Sequence, residues 1–125
     1  MMLSASFDAD NGIVVTVADG LASVEEFNAY LAQFGPLVQK SRARHGRCLH
    51  LVDAEKNPIQ SRDVFDYMAE TSKRLNAMRD GDRSAIILQS ALAKMQIDRY
   101  GHARQKQFFS DRQSAISWLL EEVAP

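Results

Sequence analysis

Cys48 and His50 stand two residues apart in the apolar segment Cys48-Leu49-His50-Leu51-Val52, and Asp53 closes it. On a strand that spacing puts the thiol and the imidazole on one face. A thiol beside an imidazole suggests a nucleophile, and a carboxylate where a strand ends suggests a general base or a partner contact. Adding His45 or His102 would suggest a metal. The spacing matches no zinc pattern and no recognised Cys-His pairing, so no metal is expected. Each residue also has a structural role open to it: Cys48 as a small buried residue, Asp53 as a loop carboxylate bonding nearby amides. Asp98, Arg99, Tyr100 and His102 diverge in helical direction, and nothing resembles a phosphate loop, a nucleophile elbow or paired catalytic carboxylates. The expectation is a non-enzymatic protein without cofactors. A hydrolase or isomerase using Asp53 or His50 ranks below it.

Other residues suit contact better than bond-making. Ser61 precedes a helical run, and a phosphate there would gain from the helix N-terminus and from Arg62. An N-cap role alone also accounts for it. Arg42, Arg44, His45 and Arg47 form a basic run, either a docking point for an anion or lipid head group or a solvated helix end favoured by the dipole. Met68, Met78 and Met95, with Phe108-Phe109, would line an adaptable apolar pocket or pack on a sheet. The segment Ala91 to Tyr100, with Leu92, Met95 and Tyr100, is apolar over a wide arc that other elements, a second subunit or a ligand must cover.

The elements that must position these residues are legible from periodicity and turn chemistry. Leu3 to Phe7 reads as a strand, Asn11-Gly12 as a hairpin turn, and Ile13 to Val17, β-branched throughout, as the partner strand. Ser23 with Glu26 makes a capping box, and Val24, Phe27, Leu31, Phe34 and Val38 follow as one helical face. Gly35-Pro36 predicts a kink or a split, and Gly46 a stop. The strand ending at Asp53 leads into a polar loop, Ala54 to Gln60, that includes Asn57. A second helix from Ser61 buries Phe65, Met68, Ser72, Leu75 and Met78. Ser84 to Gln89 reads as a strand covered on both faces. Phe108-Phe109 is a short edge strand or an apolar plug, and Asp111 caps a last helix facing Ala115, Trp118 and Leu119 inward. The order is ββαβαβα(β)α, an α/β domain with a mixed sheet of four to five strands, antiparallel in its hairpin and parallel where helices cross over.

The chain has 125 residues, which predicts a single domain over 1–125. Hydrophobic residues make up 46 %, charged residues 25 %, and the net charge is −1. Without a basic excess, a nucleic-acid partner is not expected. One cysteine cannot form an internal bridge and suits a reducing compartment. No apolar run reaches the ~18–20 residues that span a bilayer, and the start lacks a secretory pattern. A cytoplasmic location follows, with peripheral membrane contact still compatible.

The layout resembles the STAS-like domains of the SpoIIAA-like family. The resemblance is carried by Ile13 to Val17 leading through Gly20 to Ser23-Val24-Glu25-Glu26-Phe27, by Leu49 to Asp53, by Arg83-Ser84-Ala85-Ile86, and by Phe109-Ser110-Asp111 followed by Ala115 and Trp118-Leu119. It covers nearly the whole chain through core and cap positions. It implies a non-enzymatic regulatory module that binds a protein partner, switched by phosphorylation of a serine at the helix start. Where those domains carry an Asp-Ser-Ser-Gly-like motif, this chain reads Asp53-Ala54-Glu55-Lys56-Asn57-Pro58-Ile59-Gln60-Ser61, and Ser61 takes the regulatory place by position. The expected partner surface is Asp53, Asn57, Ser61, Arg62 and Phe65, and a homodimer is compatible with it. The alternative implied is a carrier or sensor of a lipid or other small apolar ligand held between helices and sheet, lined by Met68, Leu92, Met95 and Tyr100.

Overall fold

A computed structural model describes residues 2–56, 62–75, 79, 81–88, 90–91, 94–95 and 106–121. The elements in chain order are β1 (Met2–Asp8), β2 (Ile13–Asp19), α1 (Val24–His45), β3 (Leu49–Lys56), α2 (Arg62–Leu75), β4 (Arg83–Ile87), β5 (Lys106–Phe109) and α3 (Arg112–Leu120). The strands form one five-stranded sheet in the order β1-β2-β3-β4-β5. β1 runs antiparallel to β2, and β2 through β5 are mutually parallel. This is the α/β mixed sheet expected from the pattern, with Phe108-Phe109 as an edge strand. Most of the wide-arc segment Ala91 to Tyr100 lies outside the described residues.

The β1–β2 turn is built by Asp8 and Gly12. The Asp8 carboxylate accepts the Asp10 N–H at 3.0 Å and the Asn11 side-chain amide at 2.9 Å, and Gly12 takes φ +69°. That left-handed φ suits glycine. A Cβ there would also stand 2.6 Å from both Arg44 Cδ and His45 Nε2, because the end of α1 lies over the turn. Arg44 donates to the carbonyls of Ala9 and Asp10, and His45 Nε2 lies 2.7 Å from the Asn11 carbonyl. Arg42 pairs with Asp82, and Arg47 donates to the Glu121 carbonyl at 2.7 Å. Arg44 stays exposed at the helix end, as the solvated reading expected, while Arg42, His45 and Arg47 are part-buried and engaged. The four members of the basic run tie α1 and the start of β3 to the rest of the fold.

Helix α1 opens as predicted, with Ser23 Oγ accepting the Glu26 N–H at 3.1 Å, and ends at Gly46 in the left-handed conformation, whose N–H reaches the Arg42 carbonyl. It does not split at Gly35-Pro36 but runs unbroken for 22 residues. Ala32, Gly35 and Pro36 are all exposed, so water can take the carbonyl that proline leaves without a donor. Strand β3 runs three residues beyond Asp53. Asp53 pairs with both Val17 and Ile87, Lys56 receives the Gly20 N–H, and Ala54 is buried. The polar composition of 54–56 suggested a loop, but backbone pairing to β2 at Asp19 and Gly20 outweighs it.

The sheet carries a core on each face. Ile13, Val15, Leu49, Leu51, Ala85 and Ile87 pack against Ala115 and Leu119 of α3. On the other face, Val14 and Cys48 pack against Val38 of α1, and a separate group comprises Ala54, Ile86 and Leu88 with Val52 and Phe108. Buried polar groups fasten the strand starts. Asp82 accepts the Cys48 N–H at 2.7 Å, the Arg79 N–H at 2.8 Å and Arg42 Nη2 at 2.6 Å. Ser41 Oγ donates to the Gly12 carbonyl and accepts the Leu49 N–H.

Candidate functional site

The middle of β3 is the centre of the sheet, where both faces are expected to be buried. On the α3 side they are: Leu49 is 0 % and Leu51 1 % exposed. On the other side His50 and Val52 remain only half-buried. The cause is the placement of the helices. α1 covers β1, β2 and the start of β3, whereas among the described residues α2 leans on α1 more than on the strands. Tyr67 of α2 donates to Asn28 Oδ1 at 2.9 Å and sets its ring edge-on to Phe27, with centroids 6.2 Å apart. His50 and Val52 are thus less covered on this face than Leu49 and Leu51 are on the other.

Three polar side chains from three elements meet on this face. Thr16 Oγ1 of β2 lies 2.7 Å from the Tyr30 hydroxyl of α1 and 2.7 Å from His50 Nε2. Phe34 sets its ring against the imidazole at 4.9 Å between centroids, and Tyr30 stacks between Phe27 and Phe34. Burial in this aromatic setting pushes the His50 imidazole down to about 4. The ring is neutral at physiological pH and holds its place as a hydrogen-bonding group, not as a charge.

That depressed value has a sign that can be tested. An unfolded histidine binds its proton near pH 6.5 and the folded one does not until about 4. His50 therefore contributes stability above pH 6.5 that is lost as pH falls from 6.5 toward 4. Urea midpoints measured across that window are expected to fall in the wild type and to fall less in His50→Phe. An identical pH slope in both proteins would show that His50 is not the group responsible.

Cys48 shares this face with His50, as its spacing predicted, but lies buried between Val14 and Val38. Burial first, and then the Asp82 carboxylate, push its thiol up to about 12. It is held protonated and out of reach. His45 is engaged at the hairpin turn, and among the described residues no three His, Cys, Asp or Glu side chains gather as a metal site.

The expected contact residues are divided by the sheet. Asp53 lies on the α3 face, where Arg112 Nη2 comes within 3.9 Å and the Glu55 N–H within 3.3 Å of its carboxylate. Arg62, Phe65 and Met68 all lie on α2, on the opposite side. Arg62 is exposed with Asp66 at 3.9 Å, and Phe65 and Met68 are half-buried. Met95 is 64 % exposed. Asn57, Ser61, Leu92 and Tyr100 lie outside the described residues. Sequence reasoning passed over Thr16 and Tyr30. Tyr30 stands three residues after Phe27 and four before Phe34, a spacing that placed it on the buried face. Thr16 was the one polar residue in a β-branched strand.

A comparison with solved structures gives an independent view of this arrangement. The chain is similar to an uncharacterized protein of the DUF3478 family with a SpoIIAA-like fold, from Shewanella loihica PV-4. The TM-score is 0.63 over 94 % of this chain and 92 % of that one, at 20 % sequence identity. The fold is SpoIIAA-like. At this identity the likeness speaks for the SpoIIAA-like architecture alone. No family model matches the chain, and no curated protein matches it. Among the described residues of this SpoIIAA-like chain, no helix is long and apolar enough to cross a membrane.

Proposed function

We propose that this chain is a non-enzymatic SpoIIAA-like module that regulates by binding a protein partner through the outer side of α2. The observation that carries the reading is the incomplete burial of that helix. Its apolar positions Val64, Phe65 and Met68 are half-buried, although α2 is strongly amphipathic. An amphipathic helix whose apolar positions are only half-buried keeps apolar surface for a further contact. Arg62 would flank the contact, and Asn57 and Ser61 precede it in the chain, so phosphate on Ser61 would place negative charge beside it. The lone buried cysteine is compatible with a cytoplasmic setting. Affinity capture from the source cell, followed by native mass spectrometry, tests this. A partner, or a second copy, that is lost in Phe65→Ser while circular dichroism stays unchanged supports it. Capture indifferent to Phe65 and Arg62, or turnover of a metabolite, counts against it.

A second reading, a carrier or sensor of a small apolar ligand, is favoured by the half-buried Val52 and the apolar group Ala54, Ile86, Leu88 and Phe108 that it packs with. Met68 and Met95, with Leu92 and Tyr100, are the side chains proposed to surround the ligand. Organic extraction of purified protein and mass analysis of the extract would detect such a ligand. An empty extract together with no binding of apolar probes would remove this reading.

A further inference from the structure

We propose that the outer edge of β1 pairs antiparallel with β1 of a second copy of this chain, joining two five-stranded sheets into one. This contact is separate from the one proposed for α2. β1 ends the sheet, and among the described residues no other strand meets its outer side. In a strand paired on one side only, every second N–H and C=O faces outward as a template for another strand. Proteins commonly blunt such an edge by shortening it, charging it, or placing a proline or a bulge there. The opposite edge is blunted in this way: β5 has four residues and opens on Lys106. β1 is not. It has seven residues, and its ladder to β2 runs through successive pairs without a bulge. Its stretch Leu3-Ser4-Ala5-Ser6-Phe7 holds no charge, proline or glycine.

The sequence of this edge is complementary to itself. An antiparallel pairing centred on Ala5 sets Leu3 opposite Phe7 and Ser4 opposite Ser6, each twice by symmetry. Apolar then meets apolar on the face where Phe7 joins the core of Val14, Val38 and Cys48, and hydroxyl meets hydroxyl on the other. Because α1 lies over β1, the two copies of α1 run antiparallel on the same side of the joined sheet. The acidic first turn of each, Glu25 and Glu26, is then directed toward the basic end of the other, where exposed Lys40 stands 5.7 Å over the Phe7 ring. Opposite charges and opposed helix dipoles both favour that arrangement. A second copy supplies all of these partners at once, which an unrelated strand does not.

Sedimentation velocity of the full chain from micromolar to millimolar concentration is expected to show the mass doubling. Amide hydrogen exchange followed by NMR at both ends of that range should show alternate amides from Leu3 to Phe7 gaining protection in the dimer, while those already bonded to β2 change little. Ser4→Lys/Ser6→Lys sets lysine opposite lysine in two places and is expected to weaken dimerisation about tenfold, the sum of two like-charged cross-strand pairs. Ser4→Glu/Ser6→Lys sets glutamate opposite lysine and should restore it. Circular dichroism checks that both variants fold, and the exchange pattern of the wild type decides the matter if either does not. A single copy at every concentration, a dimer whose β1 amides exchange as they do in the single copy, or equal dimerisation of the two folded variants would overturn the proposal. A dimer lost in Phe65→Ser but unmoved by the lysines would overturn it in favour of the α2 contact.

Discussion

Asp82→Ala is expected to lower unfolding stability by about 3–5 kcal/mol, the range found when one partner of a buried ion pair is removed. The Asp82 side chain is 2 % exposed and serves three segments at once: α1 through Arg42, the entry to β3 through the Cys48 N–H, and its own turn through the Arg79 N–H. The substitution takes the carboxylate from beside the buried Arg42 guanidinium and removes the acceptor of two backbone donors. Urea denaturation reads the loss directly, and a cycle with Arg42→Met separates the ion pair from the backbone bonds. The double variant is expected to be more stable than Asp82→Ala alone, because the buried charge goes with Arg42. A loss below about 1 kcal/mol, as for an exposed pair, would show that Asp82 is not a buried fastening.

Phe27→Ala is expected to cost a similar amount, about 3–5 kcal/mol, the usual range for a buried phenylalanine. Phe27 is 1 % exposed and touches Tyr30 on one side and Tyr67 on the other. It thus joins the polar network to α2, whose remaining described tie to α1 includes the exposed bond from Tyr67 to Asn28. The amides of α2 should exchange with solvent faster in the variant, by more than those of α3, which packs on the other face. Uniform acceleration of both helices would mean that Phe27 supports the whole fold and has no special hold on α2.

Much of the architecture could be read before any coordinates, because its signals are local. The capping box at Ser23 and Glu26, the Asn11-Gly12 turn, the cap at Asp111 and the apolar runs of β2 and β4 each declare themselves within a few residues. The continuity of α1 through Pro36 was not legible, since it depends on which side of the helix meets water. Nor was the extension of β3 through Ala54, because its ladder partner is β2, distant in sequence. The site was the least legible part. Thr16, Tyr30 and His50 come from three elements, and only the folded chain brings Tyr30 and His50 each to 2.7 Å from Thr16. Asp53 drew attention as a strand-end carboxylate. The period-two alternation of β3 sends it to the opposite face from His50.

The separate coverage of the two sheet faces bears on how the polypeptide matures. By the time β3 has left the ribosome, the hairpin turn, Ser41 and α1 can already close one side, using contacts no farther apart than the first 56 residues. The other side stays bare until Ala115 and Leu119 emerge, 59 and 63 residues after Lys56 by sequence number. During that interval a nascent chain displays Leu49, Leu51, Ala85 and Ile87 to its surroundings, the kind of surface on which chaperones act.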